Sequence, residues 1–285
     1  MTDTLRLGIR GHDMEVAPFE EWVANIKKKG FCCTQLALKK AIHDFNVNNE
    51  AMTPGMAMYM RQVFAENKVD VSILGCYLNL ADPNKERLRK TMDTYKANIR
   101  FAALLGCGMV GTETGAVNEE YRYEEANHSE EALEIFIKNC REIVKYAESM
   151  GVIFAIEPVY NHIVYDSRRA RQVLDAIDSP NLQIIFDPVN VISMENYKKQ
   201  DEVLKEAFDL LGEEIAAIHS KDFVMEDNKI VSKITGEGIL NYDLLMSLVK
   251  THKPLIHILL ENTKPENVEF AKEYITKKYR EAKAL

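Results

Sequence analysis

Eight short apolar runs, each separated from the next by one amphipathic stretch, extend along the whole 285-residue chain. They lie at residues 5–11, 32–38, 69–80 and 107–113, followed by four with a shared ending: "GVIFAIEP" (151–158), "LQIIFDP" (182–188), "IAAIHSKD" (215–222) and "LIHILLEN" (255–262). Strands spaced by single helical segments pair in parallel, because the chain must cross back over the sheet, and such crossovers are right-handed. Eight units of this kind match a single α/β domain over residues 1–285, a closed (β/α)8 TIM barrel, better than an open sheet. No glycine-rich dinucleotide or phosphate loop follows any run, which removes the usual signature of a nucleotide-binding open sheet.

The intervening stretches carry helix signals. Thr53-Pro54 and Asp82-Pro83 each place a capping side chain before a proline suited to the first helical position. From Ser129, the residues Phe136, Cys140, Ile143, Val144 and Ala147 recur at helical spacing, with Glu130 and Glu131 in the first turn. A last helix is expected to open at Pro265. Trp22 reads as core on the first helix. Met56, Met58 and Met60 read as helix core rather than as a soft pocket wall.

A hydrophobic share of 46% is enough for one large core. The net charge of -8 offers no global positive field and weighs against a protein that grips a nucleic-acid backbone. No apolar run approaches a membrane span, and "MTDTLRLGIRG" has no apolar leader, so a cytoplasmic protein with neither membrane nor nucleic-acid partner is expected. Five cysteines without a CxxC pair fit reduced thiols.

The four shared endings carry the chemistry. Residues that close barrel strands and face inward lie at the catalytic mouth, and side-chain alternation puts Glu157 on the face of Ala155, Glu261 on that of Leu259, and His219 on that of Ala217 and Lys221. Glu157, Asp187, His219 and Glu261 would therefore converge on one water-excluded spot. Three desolvated carboxylates a few Å apart repel strongly and either neutralise or recruit a cation. One divalent ion with oxygen and nitrogen ligands (Mn, Mg, Co or Zn) is the simplest answer. An ion-pair network with Lys221 and Arg168 is the alternative.

The phrases "AIEP", "FDPVN", "HSKD", "TGEGIL" and "LLEN" resemble those of the xylose-isomerase-like barrels, which include sugar isomerases, ketose 3-epimerases, inosose dehydratases and endonuclease IV. The resemblance implies that Glu157, Asp187, His219 and Glu261 bind one divalent metal, and that Glu157 and Glu261 flank a small sugar substrate as the acid/base pair. A metal polarising a carbonyl and the adjacent hydroxyl acidifies the C–H between them, and a carboxylate on each face can remove and return the proton through an enediolate. One outcome is isomerisation or epimerisation. Loss of a β-hydroxyl from an inosose, or cleavage of a 3-oxo-glycoside, would use the same intermediate. A sugar-binding protein without turnover is a further alternative, and the resemblance allows a homo-oligomer.

The chain departs from the family in two places. Asn190 stands where many members have a histidine, and "VYNHIVY" stands where ketose 3-epimerases carry a second glutamate. His162 or Tyr160 could line the pocket there. Endonuclease IV needs three metals and many more histidines than the seven present, of which His43, His128, His252 and His257 read as loop, helix or strand-body residues; with the acidic charge, DNA repair is disfavoured. Other substrate-binding candidates are Asn190, Lys221, Glu113 at the close of the fourth run, and His12 in "GIRGHD", which could equally be a loop histidine bonded to backbone. The acidic stretch after Glu113 reads as a lid, pocket wall or subunit contact. The segment from Phe223 reads as a hairpin turning at Asp227-Asn228, with Gly236 and Gly238 bringing backbone toward the site or simply shaping a turn.

Overall fold

The computed structural model describes residues 5–285. Residues 1–4, part of the leader reading, lie outside it. Eight parallel strands close into a barrel: β1 (Arg6–Arg10), β2 (Cys33–Leu36), β3 (Asp70–Gly75), β4 (Met109–Glu113), β5 (Ile153–Glu157), β6 (Leu182–Phe186), β7 (Ile215–Ser220) and, after a hairpin of β8 (Asp222–Glu226) and β9 (Lys229–Lys233), β10 (His257–Leu260), which pairs with β1. The hairpin turns at Asp227 and Asn228, both with positive φ, as the sequence indicates. The connecting helices are α1 (Phe19–Lys28), α2 (Leu38–Ala41), α3 (Pro54–Asn67), α4 (Lys85–Leu105), α5 (Glu130–Met150), α6 (Ser167–Ile177), α7 (Gln200–Leu211), α8 (Tyr242–His252) and α9 (Val268–Glu281).

Local chemistry sets the helix starts. Thr53 accepts the Met56 N–H ahead of Pro54, and Ser129 accepts the Ala132 N–H ahead of two glutamates. Leu133, Phe136, Cys140, Ile143, Val144 and Ala147 form the buried stripe of α5. Trp22 is 1% exposed and donates to the Gly11 carbonyl. Of the three methionines only Met60 is core, whereas Met58 faces solvent. Three expected boundaries are corrected. The apolar run 69–80 is strand only to Gly75, because the rest turns across the mouth. Asp82 does not cap α4; it accepts the Asn84 N–H and pairs with Arg87, while Asn84 caps the helix. The last helix begins at Val268 instead of Pro265, because the Lys264 carbonyl closes an intervening turn on Asn267. All five cysteines are free thiols, with Cys32 partly exposed and the others buried. No described helix is long and apolar enough to cross a membrane.

Inside the barrel, Cys33, Ile73, Met109, Ala155, Ile185, Ala217 and Leu259 pack into a core of their own, separate from the strand–helix core. Most strand residues thus fall in one of two apolar layers, which is why the runs are predominantly apolar until they end. Gly111 belongs to the inner layer: a Cβ there would lie 2.5 Å from Ile185 Cδ1 and 2.7 Å from Ile73 Cγ2. Gly111→Ala is expected to cost about 1–3 kcal/mol by overpacking, seen as a lower urea midpoint with an unchanged slope.

Candidate active site

Alternation inside the barrel dictates which residues reach its mouth. Ala155, Ile185, Ala217 and Leu259 face inward, so Glu157, Asp187, His219 and Glu261, two positions further on, do too. They are 2%, 0%, 0% and 6% exposed. Donor atoms of Glu157, Asp187 and His219 lie within 4.8 Å of one another, spacing that could hold a metal ion. His219 Nδ1 is 3.1 Å from Glu157 Oε1 and 3.4 Å from Glu261 Oε1. Asp187 Oδ1 is fixed by the N–H groups of Val189 and Asn190. Asn190 in turn donates to Glu157 Oε1 at 2.7 Å and accepts from Lys221 Nζ at 2.7 Å.

Cations interleave these acids. Lys221 Nζ is 2.7 Å from Asp187 Oδ2 and 3.3 Å from Glu261 Oε2, and Arg10 Nη1 is 3.4 Å from Glu261 Oε1. Burial pushes the Asp187 carboxyl up to about 6 against the pull of Lys221. Burial also opposes charge on Glu261, but His219, Lys221 and Arg10 outweigh it and hold that carboxyl down at about 2. His219, which burial alone would depress, is held up at about 9 by Glu157 and Glu261. Ion pairs of the kind held as the alternative to a metal are therefore present, with a different second partner. Arg168, in the first turn of α6, points into solvent and pairs with Glu206, while Arg10 at the end of β1 takes the role inside. The donor set, with the Asp187–Glu157–His219 cluster desolvated and His219 Nε2 left without a partner, fits a hard or borderline divalent ion. Glu261, expected as a fourth ligand, is drawn toward Lys221 and Arg10.

The other expected residues form the wall. Glu113 closes β4 opposite Glu157 in register and accepts the Tyr121 hydroxyl at 3.2 Å; burial raises its carboxyl. The long loop after β4 folds back as part of this wall through Tyr121. The His162 ring stands edge-on to Tyr121 at 5.1 Å, with a buried Nδ1 that has no hydrogen-bond partner. Tyr160 lies further out, among the loops that follow β5 and β6. His12 sits on a 3-10 turn after β1, its Nδ1 also buried and unpartnered. Gly236 and Gly238 do not serve the site. They let the loop wrap the Asp222 carboxylate, which accepts the N–H groups of Phe223, Gly236 and Leu240.

Arg10, Gln35, Tyr77 and Tyr121 were not expected at the mouth. Alternation through Gly8, Cys33 and Ile73 could have signalled the first three, which lie within the first three apolar runs; Tyr121 lies in a loop with no periodicity to read.

Burial lowers both His162 and His12 to about 4. The unfolded chain then takes up protons between the ordinary value near 6.5 and about 4 that the folded chain refuses, so stability is complete above that window and falls as pH drops through it. His162→Gln, which cannot titrate, is expected to recover on the order of 2–3 kcal/mol of this acid loss. The check is the wild-type minus variant difference in urea midpoint at pH 7 and at pH 4.

Residues 23–278 match the family model described as xylose isomerase-like TIM barrel. No curated protein matches the chain. Among solved structures, a D-tagatose 3-epimerase-like protein superposes with a TM-score of 0.74 at 18% identity, covering 96% of this chain and 97% of that one. A probable 3-DHS dehydratase from Bacillus anthracis gives 0.71 at 15% identity over 97% and 98%. The IOLI protein with a bound zinc atom gives 0.70 at 16% identity over 97% and 95%. At these identities the likeness carries the fold.

Proposed function

The chain belongs to the xylose isomerase-like TIM barrel family, and on that premise we propose that it is a cytoplasmic, divalent-metal-dependent sugar isomerase or epimerase acting by proton transfer on a small polyhydroxylated carbonyl compound. The carrying observation is the convergence of three buried carboxylates and a buried imidazole at the mouth, ringed by polar atoms without partners on His12 (Nδ1), Gln35 (Oε1) and His162 (Nδ1). A hydroxyl-rich substrate would satisfy that ring.

Glu157, Asp187 and His219 would hold one ion of Mn, Mg, Co or Zn, with Glu261 beside them; when bound, the ion supplies a Lewis acid that polarises a substrate carbonyl and acidifies the neighbouring C–H. The zinc in the IOLI structure supports this reading. Glu157 on β5 and Glu261 after β10 are separated by β6 and β7 around the barrel, and so address opposite sides of a substrate. One takes the proton and the other returns it. Asn190 orients the Glu157 carboxylate through its 2.7 Å hydrogen bond. The Lys221 ammonium, kept charged by Asp187, Glu261 and Glu157 against burial, stabilises negative charge on a substrate oxygen. Tyr121 and His162 keep water from the wall.

Dehydration is the second reading, and Glu113 favours it. Its carboxyl lies beside Glu157 in register and is raised by burial, so it can protonate a departing hydroxyl while Glu157 removes the proton. Incubation of ketoses and inososes with the Mn²⁺-loaded protein in D₂O separates the two. Deuterium at carbon with the substrate formula kept supports isomerisation, loss of water supports the lyase, and neither change with any compound despite bound Mn²⁺ overturns both.

A further inference from the structure

Opposite the metal-ligating side, the mouth carries a second polar pair. Strand order places β2 across the barrel from β6, and β3 across from β7. Gln35 on β2 shares the inward face of Cys33, and Tyr77, two residues beyond Gly75, continues the inward face of Ile73. Gln35 Nε2 donates to the Tyr77 hydroxyl. Gln35 is 1% exposed, and its Oε1 is buried without any partner. Tyr77 is partly exposed. Desolvation and the charges of Glu157, Glu261 and Glu113 keep its phenol protonated.

The backbone makes room for this pair. A Cβ on Gly75 would lie 2.9 Å from the Tyr77 ring and 3.4 Å from Gln35 Nε2. With Gln35 Nε2 donating to the Tyr77 oxygen, Gln35 Oε1 is left as a free acceptor and the Tyr77 O–H as a free donor. A hydroxyl group offers the matching acceptor and donor.

Resting on the function proposed above, we propose that Gln35 and Tyr77 form a two-point subsite for a hydroxyl at the end of the substrate remote from the reacting carbons. The substrate O–H donates to Gln35 Oε1, and its oxygen accepts from the Tyr77 O–H. A substrate held by the β5 to β7 residues spans the mouth to reach this pair, so the subsite selects for chain length and for configuration at the remote carbon. A site built to bond a hydroxyl discriminates strongly against the analogue lacking it, because its own buried groups are then left unpaired.

The test is a cycle of protein variants against substrate deletions. The Mn²⁺-loaded wild type, Tyr77→Phe and Gln35→Met are titrated calorimetrically with the D-ketohexoses and with the monodeoxy forms of the tightest binder; Mn²⁺ uptake by each variant reports an intact barrel. In the wild type one monodeoxy form should bind about tenfold more weakly than its parent. Each variant should weaken the parent about tenfold and that same monodeoxy form less than twofold. Equal weakening of the parent and all its monodeoxy forms, or no weakening, overturns the subsite and leaves the proposed function standing. A wild type that takes up Mn²⁺ but binds no D-ketohexose overturns the subsite, while the function is decided separately by the D₂O incubation with ketoses and inososes.

Discussion

Glu157→Gln is expected to slow deuterium exchange at the substrate carbon by about 10³–10⁴-fold with metal at saturation. The amide matches the carboxylate in shape and can still accept from Asn190 Nδ2, which now donates to Glu157 Oε1 at 2.7 Å. What it cannot do is take a proton near neutral pH. Because Glu157 also belongs to the Glu157–Asp187–His219 cluster, a weaker metal affinity accompanies the change, and exchange must be compared across a Mn²⁺ titration. A variant that retains near-wild-type exchange once metal is saturating removes Glu157 from the proton path. Glu261→Gln is the companion measurement, since a base on each side of the substrate predicts that both changes abolish epimerisation, with Glu157→Gln stopping exchange of the epimer whose C–H faces Glu157 and Glu261→Gln that of the other epimer.

Asp187→Asn is expected to lower divalent-ion affinity at least about 100-fold and to destabilise the fold by about 3–5 kcal/mol. The second effect comes from Lys221, which is 6% exposed and sits 2.7 Å from Asp187 Oδ2. Losing that carboxylate leaves a buried ammonium with Glu261 at 3.3 Å and the Asn190 amide as its remaining partners. The double variant Asp187→Asn with Lys221→Met should regain much of the stability without regaining the ion, because it removes the stranded charge and not the missing ligand. Thermal unfolding with and without Mn²⁺ reads both effects at once: the wild type should melt higher as Mn²⁺ is added, and neither variant should. A stabilising response to Mn²⁺ that persists in Asp187→Asn would place the ion elsewhere.

The barrel is legible from the chain because eight apolar runs and their helical spacers repeat one physical unit, and because inward alternation from Ala155, Ile185, Ala217 and Leu259 continues without a break into the four mouth residues. Where the pattern stops, so does legibility. The run 69–80 looks continuous by hydrophobicity, yet the chain turns after Gly75 to leave room for Tyr77 and Gln35. Asp82-Pro83 has the form of a helix start, but Asp82 is spent on Arg87 and on the Asn84 N–H, which fixes the approach to the true cap. Arg10 is an inward residue on the first strand, and its contact with Glu261 depends on β1 meeting β10, a closure that joins residues about as far apart in sequence as the chain allows. Arg168 lies on the solvent side of α6 between the buried Ser167 and Arg169, and only helix orientation reveals that.

The glycine, alanine and isoleucine floor beneath the mouth has a consequence for how such a protein can diverge. Ala155, Ile185, Ala217 and Leu259 each sit one pleat below a mouth residue, in the inner apolar core, and their volumes set the height and tilt of every group above them. A methyl gained at Ala217 must be surrendered by a neighbour such as Leu259, or the imidazole overhead leans. Changes of appetite for one ion over another are therefore expected to arise as compensated pairs in this hidden tier, with the visible ligands left untouched.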